Sequence, residues 1–224
     1  MRFDNRPFAE GLTQAFEEAV ARLITRIGES DFTVLYDRVH EKGQQAVFEK
    51  LMASSAFFVE QVARHRDWLM RVLADGSLLH ASYQQSSDWD QALESMIGSS
   101  VSEAEHMRTL RIFRNRHMLR ILWRDAAQIS TIEAAFLQLS QLADCCIRFA
   151  VRSARAALLP KYGDPYGSES DEVQSLVVLA MGKLGGKELN FSSDIDLIFA
   201  YPDSGATRGG RQSLDNQTYF TRLG

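Results

Sequence analysis

The sequence predicts an α+β protein, mostly helical, in which a long helical region precedes a shorter segment that carries strands. Proline occurs only at Pro7, Pro160, Pro165 and Pro202, so residues 8–159 contain none. That stretch repeats apolar residues at three- and four-residue spacing, the period of helices buried on one side. Beyond it, two continuous apolar runs, "SLVVLAMG" (175–182) and "DIDLIFAY" (194–201), have strand length.

The elements follow in order. "FAEGLTQAFEEAVARLITRI" (8–27) sets Phe8, Leu12, Phe16, Val20 and Leu23 along one stripe and predicts a helix. Residues 45–76 predict two or three shorter helices, with a break at Ser54-Ser55 and a stop at Asp75-Gly76. A further predicted helix is crowded by Arg108, Arg111, Arg114, Arg116, Arg120 and Arg124. These form either a basic surface for phosphate, nucleotide or an acidic partner, or a solvated face with internal pairs such as Glu105–Arg108. Trp68 and Trp123 read as helix-packing residues, and Trp89 as a loop anchor. From Thr131 to about Leu159, Ile132, Phe136, Leu139, Ala143, Cys146 and Ala150 alternate spacings of four and three, a bundle seam with Pro160 beyond its last turn. "PKYGDPYGSES" (160–170) changes composition abruptly and reads as a linker or long loop. The expected organisation is a helical region over 1–160, a linker over 161–173 and a separate segment over 174–224. A last helix is predicted to begin near Asp215 or Asn216, with Asp215 as its cap.

Composition narrows the class. The 224 residues are 45% hydrophobic and 24% charged with a net charge of −4, which lacks the basic footprint of a broad nucleic-acid binder. Cys145 and Cys146 are adjacent, so they form no disulfide framework and read as small apolar helix residues in a reducing cytosol. No uninterrupted apolar run approaches the ~18 residues of a membrane span, and "MRFDNRPFAE" has no signal-peptide core. A cytoplasmic location with no membrane partner is expected.

The chemistry concentrates in "GGKELNFSSDIDLIFAY" (185–201). In an extended segment Asp194 and Asp196 point to one face while Ile195, Leu197 and Phe199 point to the other. Two ionised carboxylates side by side ask for a cation. Mg²⁺ suits them, being a hard ion that commonly takes one or two carboxylates plus substrate phosphates. His40, His65, His80, His106 and His117 are scattered and offer no zinc set. Before the aspartates, Gly182, Gly185 and Gly186 let backbone approach a phosphate, with Lys183, Lys187, Ser192 and Ser193 as nearby donors. The alternative is a solvated strand start, in which Lys187 is an exposed loop lysine and the serines bond their own backbone.

"MGKLGGKELNFSSDIDLIFAY" (181–201) resembles the signature of the DNA-polymerase-β-like nucleotidyltransferase superfamily: a hydrophobic-Gly turn, then Asp-hydrophobic-Asp-hydrophobic. With "LRIFRNRHMLRILWRD" (110–125), it is similar to the adenylyl-removing half of bacterial glutamine synthetase adenylyltransferases, which add AMP to glutamine synthetase and remove it. The resemblance covers most of residues 45–224 and makes residues 174–224 the start of a nucleotidyltransferase α/β domain. It implies that Asp194 and Asp196 are catalytic and hold Mg²⁺, and that Gly185, Gly186, Ser192, Ser193 and Lys187 contact nucleotide phosphates. The implied reaction is phosphorolysis: phosphate attacks the α-phosphorus of AMP on a glutamine synthetase tyrosine, giving ADP. Adenylylated glutamine synthetase, the PII signal protein, ADP or ATP and phosphate are the implied partners, without nucleic acid. The family's third carboxylate has no good match, since Asp203 lies in a turn beside Pro202 and Asp215 reads as a cap. The chain is therefore expected to stop inside the catalytic domain and to be inactive alone. Two alternatives are another nucleotidyltransferase of the superfamily and a non-catalytic helical module that keeps the site as a docking surface.

Overall fold

The computed structural model describes residues 10–80, 86–97 and 102–224; Phe8 lies outside them. Among the described residues seven helices come first: α1 (Glu10–Ile27), α2 (Glu29–Glu41), α3 (Gln45–Ser54), α4 (Ala56–Ala74), α5 (Ser86–Glu94), α6 (Glu103–Ala126) and α7 (Ile132–Tyr162). Then follow β1 (Gly163–Gly167), β2 (Val177–Ala180), α8 (Gly182–Gly185), β3 (Leu197–Ala200), β4 (Gly205–Gly209) and α9 (Asn216–Leu223). The class is the predicted one, α+β and mostly helical. Contacts gather into two compact units, one holding α1 to α4 with residues 115–135, the other α5, the first half of α6 and residues 136–224.

The helical unit is organised around aromatic rings. Trp123 is fully buried against Phe48 and Phe58, with ring centroids 6.0 and 5.6 Å away, and its indole N–H donates to Gln44 Oε1 at 3.0 Å. Truncating a buried ring of this kind costs about 3–5 kcal/mol. The predicted break at Ser54-Ser55 is real: Ser55 ends α3 and caps α4, its hydroxyl accepting from Phe58 N at 3.1 Å. Glu49 is buried, and its carboxylate accepts from the Tyr36 hydroxyl and from Gln45 Nε2 at 3.0 Å. The arginines of α6 do not share one environment. Arg108, Arg111 and Arg114 are exposed, whereas Arg120 and Arg124 are buried and donate to the carbonyls of His80 and Leu79. The last two satisfy orphan backbone groups and are not part of a solvated face.

The second unit revises three expectations. α7 runs through Pro160 to Tyr162, because a proline near a helix C-terminus forfeits only one backbone bond. Within the segment expected as linker, residues 163–167 form β1, antiparallel to β4 with Gly163 opposite Gly209 and Gly167 opposite Gly205. Gly163 has φ +75°, and a Cβ there would fall 1.9 Å from Arg208 O, so only glycine fits. Trp89 sits on α5, not in a loop, and is buried with its ring edge-on to Phe113 at 6.4 Å. Asp203 closes the β1–β4 end by accepting from Glu169 N at 3.0 Å, and that amide holds its carboxyl below the usual carboxylate range. Asp215 caps α9, accepting from Thr218 N at 2.8 Å. α7 is long and apolar enough, by length and composition alone, to cross a membrane. Its arginines nevertheless meet carboxylates of this unit: Arg148 with Asp90 at 3.0 Å, Arg152 with Glu94 at 3.2 Å and Arg155 with Asp164 at 2.6 Å. Cys145 and Cys146 are free thiols that burial pushes up to about 12, so both are unreactive at neutral pH.

Two histidines of the helical unit make its stability sensitive to acid. Burial lowers His65 to about 4, helped by Arg116 and Arg64, and lowers His117 to about 3, helped by Arg120 and Arg116. In the unfolded chain both titrate near the ordinary value of about 6.5. The unfolded state therefore binds more protons over this window, so stability is complete above about pH 6.5 and falls as the pH drops toward 4. Urea midpoints measured between pH 7 and 4.5 should decline, and less steeply in His65→Gln. An equal slope in that variant would remove His65 from the account.

Candidate functional site

The site is a hairpin whose loop is folded back on itself. β2 and β3 pair antiparallel, Val177 opposite Ala200 and Ala180 opposite Leu197. Met181 N donates to Asp196 O at 2.9 Å, which carries the same register one pair beyond the strands. The aspartates thus precede β3, whereas the sequence suggested that the strand begins with them. By the alternation of the pleat, Asp196 shares a face with Met181, Leu179 and Ile198, and Asp194 continues it. That face is open: Met181, Leu179 and Ile198 are 46–49% exposed.

Between the strands, the glycine segment forms the single helical turn α8. Gly185 packs so closely that a Cβ would lie 2.4 Å from Ala180 O. The amides of Gly185 and Gly186 donate to Met181 O at 3.3 Å and Gly182 O at 3.0 Å. The backbone donors left open at such a turn are those of its first residues, Gly182 to Leu184. Lys187 is exposed with φ +59°, a left-handed conformation uncommon for a residue with a side chain. Leu184 and Leu189 are buried anchors, and Leu189 N donates to the Ser140 hydroxyl of α7 at 3.2 Å. Asn190 organises the remainder. Its Oδ1 accepts from Ser192 N at 3.1 Å, Ser192 Oγ at 3.1 Å and Ser193 Oγ at 2.7 Å. Both serines are therefore tied to their own turn in this structure.

Asp194 and Asp196 are exposed, and among the described residues neither has an ion-pair or side-chain hydrogen-bond partner. Among the described residues no arginine pairs with them. Among the described residues there is also no group of three or more His, Cys, Asp or Glu that could hold a metal. The pair is a two-carboxylate set, the number Mg²⁺ commonly takes when substrate oxygens complete its shell, so the residues fit that ion.

The other face of the hairpin borders a cleft of about 440 Å³ lined by Val178, Ala180, Leu197, Asp144, Arg148 and Arg152 among others. Burial raises the Asp144 carboxyl above the usual carboxylate range, opposed by Arg148 and Lys187. The sequence reading passed over Asp144, Ser140 and Asn190. Asn190 alone had a local signal, an Asx residue followed two and three positions later by serines. The other two act from α7 and become visible only in three dimensions.

The sequence model for glutamate-ammonia ligase adenylyltransferase matches residues 45–224. The chain belongs to that family. Three curated relatives of the adenylyltransferase family are each called bifunctional glutamine synthetase adenylyltransferase/adenylyl-removing enzyme. The protein of Shewanella woodyi is 37% identical over 95% of this chain and 22% of its own length. That of Nitrosococcus oceani is 38% identical over 87% of this chain and 21% of its own length. That of Pseudomonas aeruginosa is 43% identical over 79% of this chain and 18% of its own length. The chain thus spans about a fifth of these relatives.

Asn190→Ala tests the turn. Removing one shared acceptor should cost about 1–3 kcal/mol and speed amide exchange at Ser192 and Ser193 while sparing the β2–β3 ladder. Unchanged exchange at the serines would show that the turn holds without the side chain.

Proposed function

We propose that this chain supplies the carboxylate pair and phosphate turn for removal of AMP from adenylylated glutamine synthetase. The observation that carries the reading is the unpaired Asp194/Asp196 set, open to solvent at the head of β3 and beside a one-turn helix. Asp194 and Asp196 would hold Mg²⁺, which supplies charge neutralisation at the phosphoryl oxygens. The open amides of Gly182 to Leu184 and the Lys183 and Lys187 ammonium groups would orient phosphate oxygens. Gly185 and Gly186 contribute through close packing, and Ser192 and Ser193 reach a phosphate only if they release Asn190. In the reaction, an oxygen of inorganic phosphate forms a bond to the α-phosphorus. The bond from that phosphorus to the tyrosine oxygen breaks, the phenoxide takes a proton from solvent, and ADP leaves. Phosphate is already ionised near pH 7, so no strong general base is needed.

The removing activity is favoured over the adding one by "GGKELN" in the glycine turn. ATP for the adding activity, the PII signal protein as regulator and a cytoplasmic setting in nitrogen assimilation complete the proposal. A chain extended to the full length of the relatives should release ADP from adenylylated glutamine synthetase when given phosphate and Mg²⁺. Asp194→Asn should lower kcat at least ~10²-fold with an unchanged far-ultraviolet spectrum, and chelation of the metal should do the same. Wild-type turnover in Asp194→Asn would remove the metal-ligand assignment.

A further inference from the structure

The helical unit holds a second concentration of charge that the proposed reaction does not use. α4 leaves helical geometry at one residue, His65, with φ −123° and ψ 25°. The residue is 8% exposed, and its Nε2 is buried without a hydrogen-bond partner. Trp68, three residues on, lies under the guanidinium of Arg116 from α6, 5.8 Å from the ring centroid. Arg116 Nε is likewise buried without an acceptor. Burial lowers the Arg116 pKa, and Arg71 adds to the effect, so the two guanidiniums are close enough to repel.

Carboxylates offset this charge only in part: Asp75 lies close enough to Arg71 for that guanidinium to lower its pKa. Around His65, Arg64 has one, Glu60 at 2.6 Å, which also takes Arg26 at 3.4 Å. Among the described residues, Arg71 and Arg116 form no ion pair. Arg120 and Arg124 of the same helix both donate to backbone carbonyls, although Arg124 Nε is also buried without an acceptor. A partly buried cation with an unused donor is costly until an anion reaches it. Guanidinium groups match oxyanions through paired N–H donors, and an aromatic ring beneath one fixes its plane.

We propose that His65, Arg71 and Arg116, with Trp68 as the floor under Arg116, form a binding site for a small oxyanion, a phosphate or carboxylate group. The anion sits against the two guanidiniums and accepts from His65 Nε2–H. The site is independent of the aspartate pair and of the adenylyl chemistry.

The test is titration of the 224-residue chain with inorganic phosphate and, separately, with succinate, at constant ionic strength against chloride. The readouts are the His65 Cε1–H resonance and Trp68 fluorescence. Saturable changes with either anion are expected, together with a rise in the His65 pKa on binding. Phosphate alone or succinate alone saturating names which oxyanion the site takes. Arg116→Gln and Arg71→Gln should each weaken binding about tenfold or more, the loss of one charge-assisted contact. The Trp123 environment serves as a check that each variant folds. Changes no greater than with chloride, or equal affinity in a folded Arg116→Gln, overturn the proposal.

Discussion

The register of β2 against β3 fixes the candidate site more than any side-chain contact does. The pairing that sets Ala180 opposite Leu197 continues to Met181 and Asp196 through one further backbone bond. A slip of one residue would carry both aspartates to the face that borders the α7 cleft, opposite Val178 and Ala180, in place of Leu197. There they would compete with Asp90 and Glu94 for Arg148 and Arg152. In the observed register they stand clear of those arginines, beside exposed apolar residues. The ladder therefore decides whether the carboxylates are satisfied internally or left for an external cation.

A two-stranded ribbon is weak by itself, so the register needs support from outside. α7 supplies it. The Ser140 hydroxyl, buried on α7, receives Leu189 N, while Leu184 and Leu189 sink into the unit. Asn190 then closes the stretch between that anchor and Asp194. The loop enters from β2 through a glycine turn too tight for a side chain at Gly185 and leaves through a polar turn built on one amide. Both ends are fixed, which limits how far the aspartates can wander. The serines give up their donors to this turn, so in the proposed reaction the phosphate-facing role would fall to the amides of Gly182 to Leu184.

Much of this was legible in the sequence, and the omissions share a cause. Helical periodicity, the Ser54-Ser55 break, the Asp215 cap and the alternation of Asp194 with Ile195 are local signals, and local geometry decides them. β1 and β4 were not legible, because "GDPYG" and "GATRG" pair with each other across some forty residues and neither has strand composition. Trp89 was misplaced because a short amphipathic helix flanked by polar residues resembles a loop. Among the arginines of α6, spacing alone could not separate Arg108 from Arg120. Their difference lies in the carbonyls of Leu79 and His80, which only tertiary structure brings near.

The two units carry opposite forms of one electrostatic condition. In one, Asp194 and Asp196 are exposed anions without an ion-pair partner among the described residues; in the other, Arg116 is a partly buried cation without one among them. Exposed carboxylates lose little in water and become costly only when solvent is excluded, which is what the proposed role as metal ligands would require. Arg116 is already partly desolvated, so its cost is present in the resting protein. Arg120 on the same helix turns to a carbonyl, so the fold has the means to satisfy such a group. Leaving Arg116 over Trp68 without an acceptor is thus best understood as preorganisation, since a bound oxyanion recovers that cost without having to order the donors.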